Sequence, residues 1–112
     1  MAKRLTRYAR LGIPREFNIL GHRVRVKILT IRSWGRYKLP RDAVGIWDPT
    51  SYVIALRSEL GDTQIQQTFC HELTHAILDS MNHKLSNNET FVDNFGSLLA
   101  QALSSFDSNP KG

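Results

Sequence analysis

His71-Glu72-Leu73-Thr74-His75 decides the reading of this chain. On an α-helix the two histidines stand at i and i+4, one turn apart on the same face, so both imidazoles can reach one metal ion. Glu72 lies between them and can reach the open side of that ion. Two neutral imidazoles and a carboxylate suit zinc, and a fourth position left to water makes such a site catalytic rather than structural.

The flanking residues supply the helix that the motif needs. Ile65, Phe69, Leu73, Ala76 and Ile77 recur at helical spacing and occupy one arc of a helical wheel. Thr68, His71, His75 and Leu78 fall on the neighbouring arc, with Glu72 at its other edge. One helix over residues 62–80 is therefore expected, with Asp62 as its N-cap and Asn82 as a left-handed stop. Cys70 points away from the histidines and reads as a small buried thiol.

At 112 residues the chain is long enough for one modest core, and 41% of it is hydrophobic. A bound zinc would add to its stability, because a metal held only by the folded state favours that state. No run of about 18 apolar residues is present, so no membrane span is expected. The basic N-terminus is not followed by a continuous apolar stretch and does not read as a secretory signal. A single cysteine forms no internal disulfide and fits the reducing cytoplasm.

Charge is unevenly spread. Residues 1–56 hold 12 Lys/Arg and 3 Asp/Glu, whereas residues 57–112 hold 3 and 7. Lys3, Arg4, Arg7, Arg10 and Arg15 cluster at the start. Residues 1–15 read as a solvated basic arm ended by Gly12 and Pro14, and nucleic acid is a candidate partner for it, although no nucleic-acid-binding motif accompanies it. Residues 16–106 read as the domain and residues 107–112 as a polar tail.

Within the domain, residues 17–20 suggest a short strand. Residues 22–29 alternate, with Val24, Val26 and Ile28 on one face and Arg23, Arg25 and Lys27 on the other, as in a half-buried strand. Residues 33–42 read as a loop or short irregular helix. Asp48-Pro49-Thr50-Ser51 has type I turn preferences and joins two β-rich runs into a hairpin. Residues 87–105 form a second amphipathic helix, with Phe91, Val92, Phe95, Leu98, Leu99, Ala102 and Leu103 as its apolar stripe. Its other arc carries Glu89 and Asp93 and then Gly96, Ser97 and Ala100, small residues that would let it approach another helix closely.

A catalytic centre needs a third protein ligand. His83 does not fit the metzincin pattern, whose glycine and third histidine would fall at Leu78 and Met81. Glu89 and Asp93, one turn apart, can serve as a ligand and as the acceptor for a ligand histidine's ring N–H. Ser86-Asn87-Asn88-Glu89 also matches a capping box, in which case Asp93 becomes the ligand.

His-Glu-Leu-Thr-His followed by Glu89-Thr90-Phe91-Val92-Asp93 resembles the gluzincin arrangement, in which a second helix supplies a zinc-binding glutamate with an acid one turn later. In size and layout the chain is similar to small phage-encoded metallopeptidases of the ImmA/IrrE type. Phe95-Gly96 and Leu98-Leu99 stand where those proteins carry Phe-Ala and Leu-Leu. The segments Arg15–Gly21 and Gly45–Pro49 also resemble that group, and the likeness spans roughly residues 15–103. Thr74 stands where the ImmA/IrrE type has glycine before the second histidine.

The resemblance implies an α+β zincin-like fold: a small antiparallel sheet packed on the HExxH helix, with a C-terminal glutamate helix closing the site. It implies one zinc ion per chain, held by His71, His75 and Glu89, with Asp93 orienting a histidine and Glu72 as general base for peptide-bond hydrolysis. It also implies that Gly45, Ile46 and Trp47 form an exposed edge that receives a peptide or protein substrate. Tyr52 and His83 are candidates for a further oxyanion donor. Two other readings follow from the same residues: a zinc-stabilised phage regulatory protein with a vestigial site, and a nucleic-acid-associated peptidase acting on a DNA-bound regulator.

Overall fold

The structure, a computed structural model, describes residues 5–106. Its elements run α1 (Arg7–Leu11), β1 (Glu16–Ile19), β2 (His22–Leu29), α2 (Ile31–Arg36), β3 (Gly45–Asp48), β4 (Val53–Arg57), α3 (Asp62–Ser80), a 3-10 turn (Lys84–Asn87) and α4 (Glu89–Ser104). The fold is α+β: four strands form one sheet in the order β1-β2-β4-β3, and α3 packs between that sheet and α4.

Local chemistry accounts for the elements. Leu20 and Gly21 join β1 to β2 and both have positive φ, the conformation a two-residue type I′ hairpin turn requires. Asp48 builds the β3–β4 turn with its carboxylate, which accepts from the Thr50 N–H at 2.9 Å and from the Ser51 hydroxyl at 2.6 Å. Those bonds hold the Asp48 carboxyl below the usual range. α3 ends where Asn82 turns left-handed at φ 52° and the His83 N–H returns to the Leu78 carbonyl. Its N-cap is Gly61; Asp62 is the first helical residue, with its carboxylate engaged by Arg7 and Arg10.

The alternation in β2 sends Val24 and Val26 into the core, where they meet Ile54 and Leu56 of β4 and Ile65, Phe69 and Cys70 of α3. Burial pushes the Cys70 thiol up, as for a packed small side chain. Ile77, assigned above to the apolar face of α3, is 40% exposed instead.

Two expectations are corrected. The sheet is mixed rather than antiparallel: β1–β2 and β3–β4 are antiparallel, but β2 and β4 run parallel, pairing Arg25 with Val53 through Leu29 with Arg57. The chain leaves β2, crosses through α2, lays down β3 at the far edge and returns by the hairpin, so β4 enters the sheet in the direction of β2. Alternation of side chains reports faces, and it carries no information on strand direction.

The second correction concerns residues 5–15, which form no free arm. Leu11 and Ile13 are buried in the core. The Arg7 guanidinium donates to the carbonyls of Ser58 and Leu60, and the Tyr8 hydroxyl accepts from the Ile28 N–H at 2.8 Å. Arg10 pairs with Asp62, and Arg15 lies over the Tyr8 ring. Arg7, Arg10 and Arg15 thus tie this segment to the domain, while Lys3 and Arg4 lie outside the described residues, as does the tail at 107–112. Deleting residues 1–13 should lower the melting temperature by about 10 °C, since two aliphatic side chains leave the core and each is worth about 1.5–3 kcal/mol. An unchanged thermal midpoint would show that α1 contributes nothing to the domain.

Candidate metal centre

α3 presents His71 and His75 side by side, with ring centroids 4.9 Å apart. Each ring is fixed through Nδ1. In His71, Nδ1 lies 2.8 Å from the Asp93 carboxylate; in His75, it lies 2.7 Å from the Ser86 carbonyl. A carbonyl can only accept, so His75 carries its proton on Nδ1, and the Asp93 carboxylate favours the same tautomer in His71. Both Nε2 atoms turn toward Glu89, at 3.2 Å from His71 and 3.0 Å from His75, where a metal between them would take their lone pairs.

These three groups fit a metal. One donor atom each from His71, His75 and Glu89 all lie within 4.8 Å of one another. Tetrahedral ligands about 2.0–2.1 Å from zinc would stand roughly 3.4 Å apart, near the 3.0 and 3.2 Å that already separate Glu89 from the two Nε2 atoms. The donor set of two imidazoles and one carboxylate is also the one zinc accepts in catalytic sites.

α4 brings Glu89 there through its start and its packing. Asn88 is the N-cap, its side chain accepting from the Phe91 N–H at 3.0 Å. Glu89 is therefore the first helical residue rather than the distal half of a capping box, and its carboxylate is free to turn toward the histidines. One turn on is Asp93, and next on the same arc is Gly96. A Cβ at Gly96 would lie 3.0 Å from the His71 Cα, so the bare glycine lets α4 approach the backbone of α3 at the first histidine.

Glu72 is 7% exposed and stands on the opposite side of His71, against β3. Burial raises its pKa to about 7, the negative charge of Glu89 adds to the rise, and the Trp47 backbone N–H works the other way. β3 can come this close because Gly45 has no side chain. A Cβ there would lie 2.5 Å from the Thr68 methyl and 3.3 Å from the Glu72 Oε2. Thr68 cannot turn aside easily, since it is buried and its hydroxyl donates to the Gln64 carbonyl at 2.8 Å. Gly45→Ala should therefore cost about 1–3 kcal/mol by forcing β3 off α3. Chemical denaturation would measure it, and a midpoint equal to that of the unsubstituted protein would contradict the close contact.

The open space around these groups is a cleft in two lobes that meet at His71, Glu72 and Gly45. One lobe continues past Trp47 and His75 to Asp79 and Pro49, the other past Thr68 to Asp42, Gln64 and Asn94. The Trp47 indole N–H donates to Asp79 at 3.2 Å and closes the first lobe's outer end. Of the residues singled out in the sequence, His71, Glu72, His75, Glu89, Asp93, Gly45, Ile46 and Trp47 all border this cleft. Tyr52 and His83 do not: Tyr52 stacks on His22, and the His83 ring accepts from the Leu85 N–H. The Ser86 carbonyl had no signal in the sequence, because a backbone acceptor has none.

Residues 20–104 match the model of the IrrE N-terminal-like domain, Peptidase_M78. The chain belongs to that family. Its function is accordingly metallopeptidase-like, and among the described residues His71, His75 and Glu89 form a cluster that could hold a metal ion. No curated protein and no solved structure matches it. No helix among the described residues is long and apolar enough to cross a membrane.

Proposed function

We propose that this chain is a zinc-dependent peptidase whose centre is His71, His75 and Glu89, with Glu72 as the general base. The observation that carries the reading is the convergence of two oriented Nε2 atoms and one carboxylate beside a buried glutamate on the wall of a cleft. Bound there, zinc would supply Lewis acidity, polarising the scissile carbonyl and acidifying the attacking water. Glu72 takes a proton from that water on its carboxylate and hands it to the departing amine nitrogen. Asp93 and the Ser86 carbonyl keep both imidazoles in the tautomer that offers Nε2.

β3 supplies the surface for the peptide. Among the described residues it lies at the edge of the sheet, paired with β4 alone. The Arg57 N–H bonds to the Val44 carbonyl, so with the antiparallel period Ile46 and Asp48 also face β4; Gly45 and Trp47 turn their backbone groups toward the cleft, where the Trp47 N–H meets Glu72 and the Gly45 N–H and both carbonyls remain for a peptide. An extended peptide can add to that edge through main-chain hydrogen bonds.

Chelation tests the reading. The protein prepared without chelator should hold about one zinc per chain by elemental analysis, and removing it should abolish peptide turnover and lower the melting temperature. Zinc added back should restore both. A metal-free preparation that hydrolyses peptides equally well would overturn the proposal, and stoichiometric zinc without turnover on any peptide would make the site a structural one.

A further inference from the structure

We infer that the lobe of the cleft running from Glu72 to Asp42 is a pocket for a basic side chain, that of the residue immediately C-terminal to the scissile bond. This deepens the peptidase reading above and rests on it. The lobe is an open groove of about 630 Å³, roomy enough for a long side chain. Ala43, Val44 and Gly45 form one side of it, and polar groups form the rest: Asp42 on the loop before β3, Gln64, Gln67 and Thr68 from the first turns of α3, and Asn94 and Ser97 from α4. A long side chain with a polar end can lie along Ala43 and Val44 with its stem and reach the carboxylate and amides with its head.

Charge selects among polar guests. The chain carries 15 Lys and Arg against 10 Asp and Glu, yet among the described residues no Lys or Arg lines either lobe of the cleft. Glu72 and Glu89 face the metal position, and Asp93 faces His71, so Asp42 is the acid in this lobe with no partner among the centre's own groups. The loop that carries it is fastened: Arg57 donates to the carbonyls of Arg41 at 2.7 Å and Ala43 at 3.5 Å, and is itself held by Glu59. A guanidinium or ammonium in the pocket would find Asp42 and the Gln and Asn side-chain oxygens as acceptors, while a carboxylate would meet like charge.

Direction follows from the strand. β3 runs alongside α3 in the same sense, since Gly45 sits against Thr68 and Glu72 while the Trp47 indole reaches Asp79. A peptide adding antiparallel to β3, the better-bonded geometry, has its N-terminal half by Trp47 and Pro49 and its C-terminal half by Gly45 and Asp42. The residue after the cleaved bond then projects into the Asp42 lobe.

The test is binding, independent of turnover. Dipeptides capped at the N-terminus with a hydroxamate head are titrated into the zinc-loaded full chain. The head fixes the register on the metal, so the next side chain lies on the C-terminal side. Arginine, leucine and glutamate versions are compared, with the wild type and Asp42→Asn. The arginine version should bind about tenfold tighter than the glutamate version at low salt. Asp42→Asn should shrink that ratio by about two- to fivefold, and added salt should shrink it further. Equal affinities, a preference for leucine, or a ratio unmoved in Asp42→Asn would overturn the assignment while leaving the metal centre standing. Failure of all three to bind would instead remove the metal centre, and the pocket's role with it.

Discussion

Glu72→Gln is expected to retain zinc and fold but lose peptide hydrolysis by a factor of about 10²–10⁴, the usual cost of removing a general base. The substitution keeps the volume of the side chain and its oxygen near the Trp47 N–H, and it removes no ligand from His71, His75 or Glu89. What it removes is the capacity to take a proton. Turnover of a mixed peptide library together with zinc content measures both halves of the expectation. Full activity in the variant would sink the assignment of Glu72, and loss of zinc along with activity would make Glu72 part of the metal-holding set.

The same variant has a second readout in metal-free protein. Burial and the Glu89 charge raise the Glu72 pKa from 4.5 to about 7, so the native state prefers the protonated acid. Below pH 4.5 both native and unfolded chains hold the proton and nothing is lost. Between 4.5 and 7 the unfolded chain ionises first, and the native state loses stability as pH rises. Above 7 the full cost stands, about 3 kcal/mol for a difference of about 2.5 in pKa. Metal-free Glu72→Gln escapes this cost, so it should be more stable than metal-free wild type at pH 8 and no more stable at pH 4. Bound zinc brings positive charge to the same spot and should erase the difference. Urea titrations at the two pH values, with and without zinc, decide it.

How much of this could be read in advance varies with the range of the interactions involved. α3 was legible almost to the residue, because its apolar spacing, the histidine pair and Asn82 are all local. The β3–β4 hairpin was legible for the same reason: Asp48 and Pro49 set the turn from within four residues. α1 was not legible as a packed element. It is 5 residues long, too short for periodicity, and Arg7 anchors it to carbonyls more than 50 positions away in the chain. The parallel pairing of β2 with β4 likewise depends on where the intervening chain turns, which no alternation pattern records. In the site, the histidines and Glu72 follow from one helix. The choice between Glu89 and Asp93 depends on how two helices dock, and this is governed by the bare Gly96 backbone against His71 and by Asn88 taking the cap. The sequence displayed both acids on one arc and left their roles open.

Those roles should separate in the paired variants. Glu89→Ala is expected to lose zinc almost entirely, whereas Asp93→Ala should weaken zinc binding about 10–100-fold and leave the site formed. The geometry gives the two acids different tasks. The Glu89 oxygens face the two Nε2 atoms, the lone pairs a metal would share. The Asp93 carboxylate faces the far nitrogen of one ring, His71 Nδ1, at 2.8 Å. Removing Glu89 leaves two imidazoles for the metal, too few for a stable three-ligand centre. Removing Asp93 leaves all three ligands, and His71 loses only the acceptor that fixes its tautomer and orientation. Both side chains are about two-thirds exposed, at 64% and 67%, so neither substitution opens a cavity and the folded state should survive in both. Competition for zinc against a chromogenic chelator reads the affinities directly. Normal affinity in Glu89→Ala with lost binding in Asp93→Ala would exchange the two assignments, and equal modest losses would mean that neither acid holds the metal.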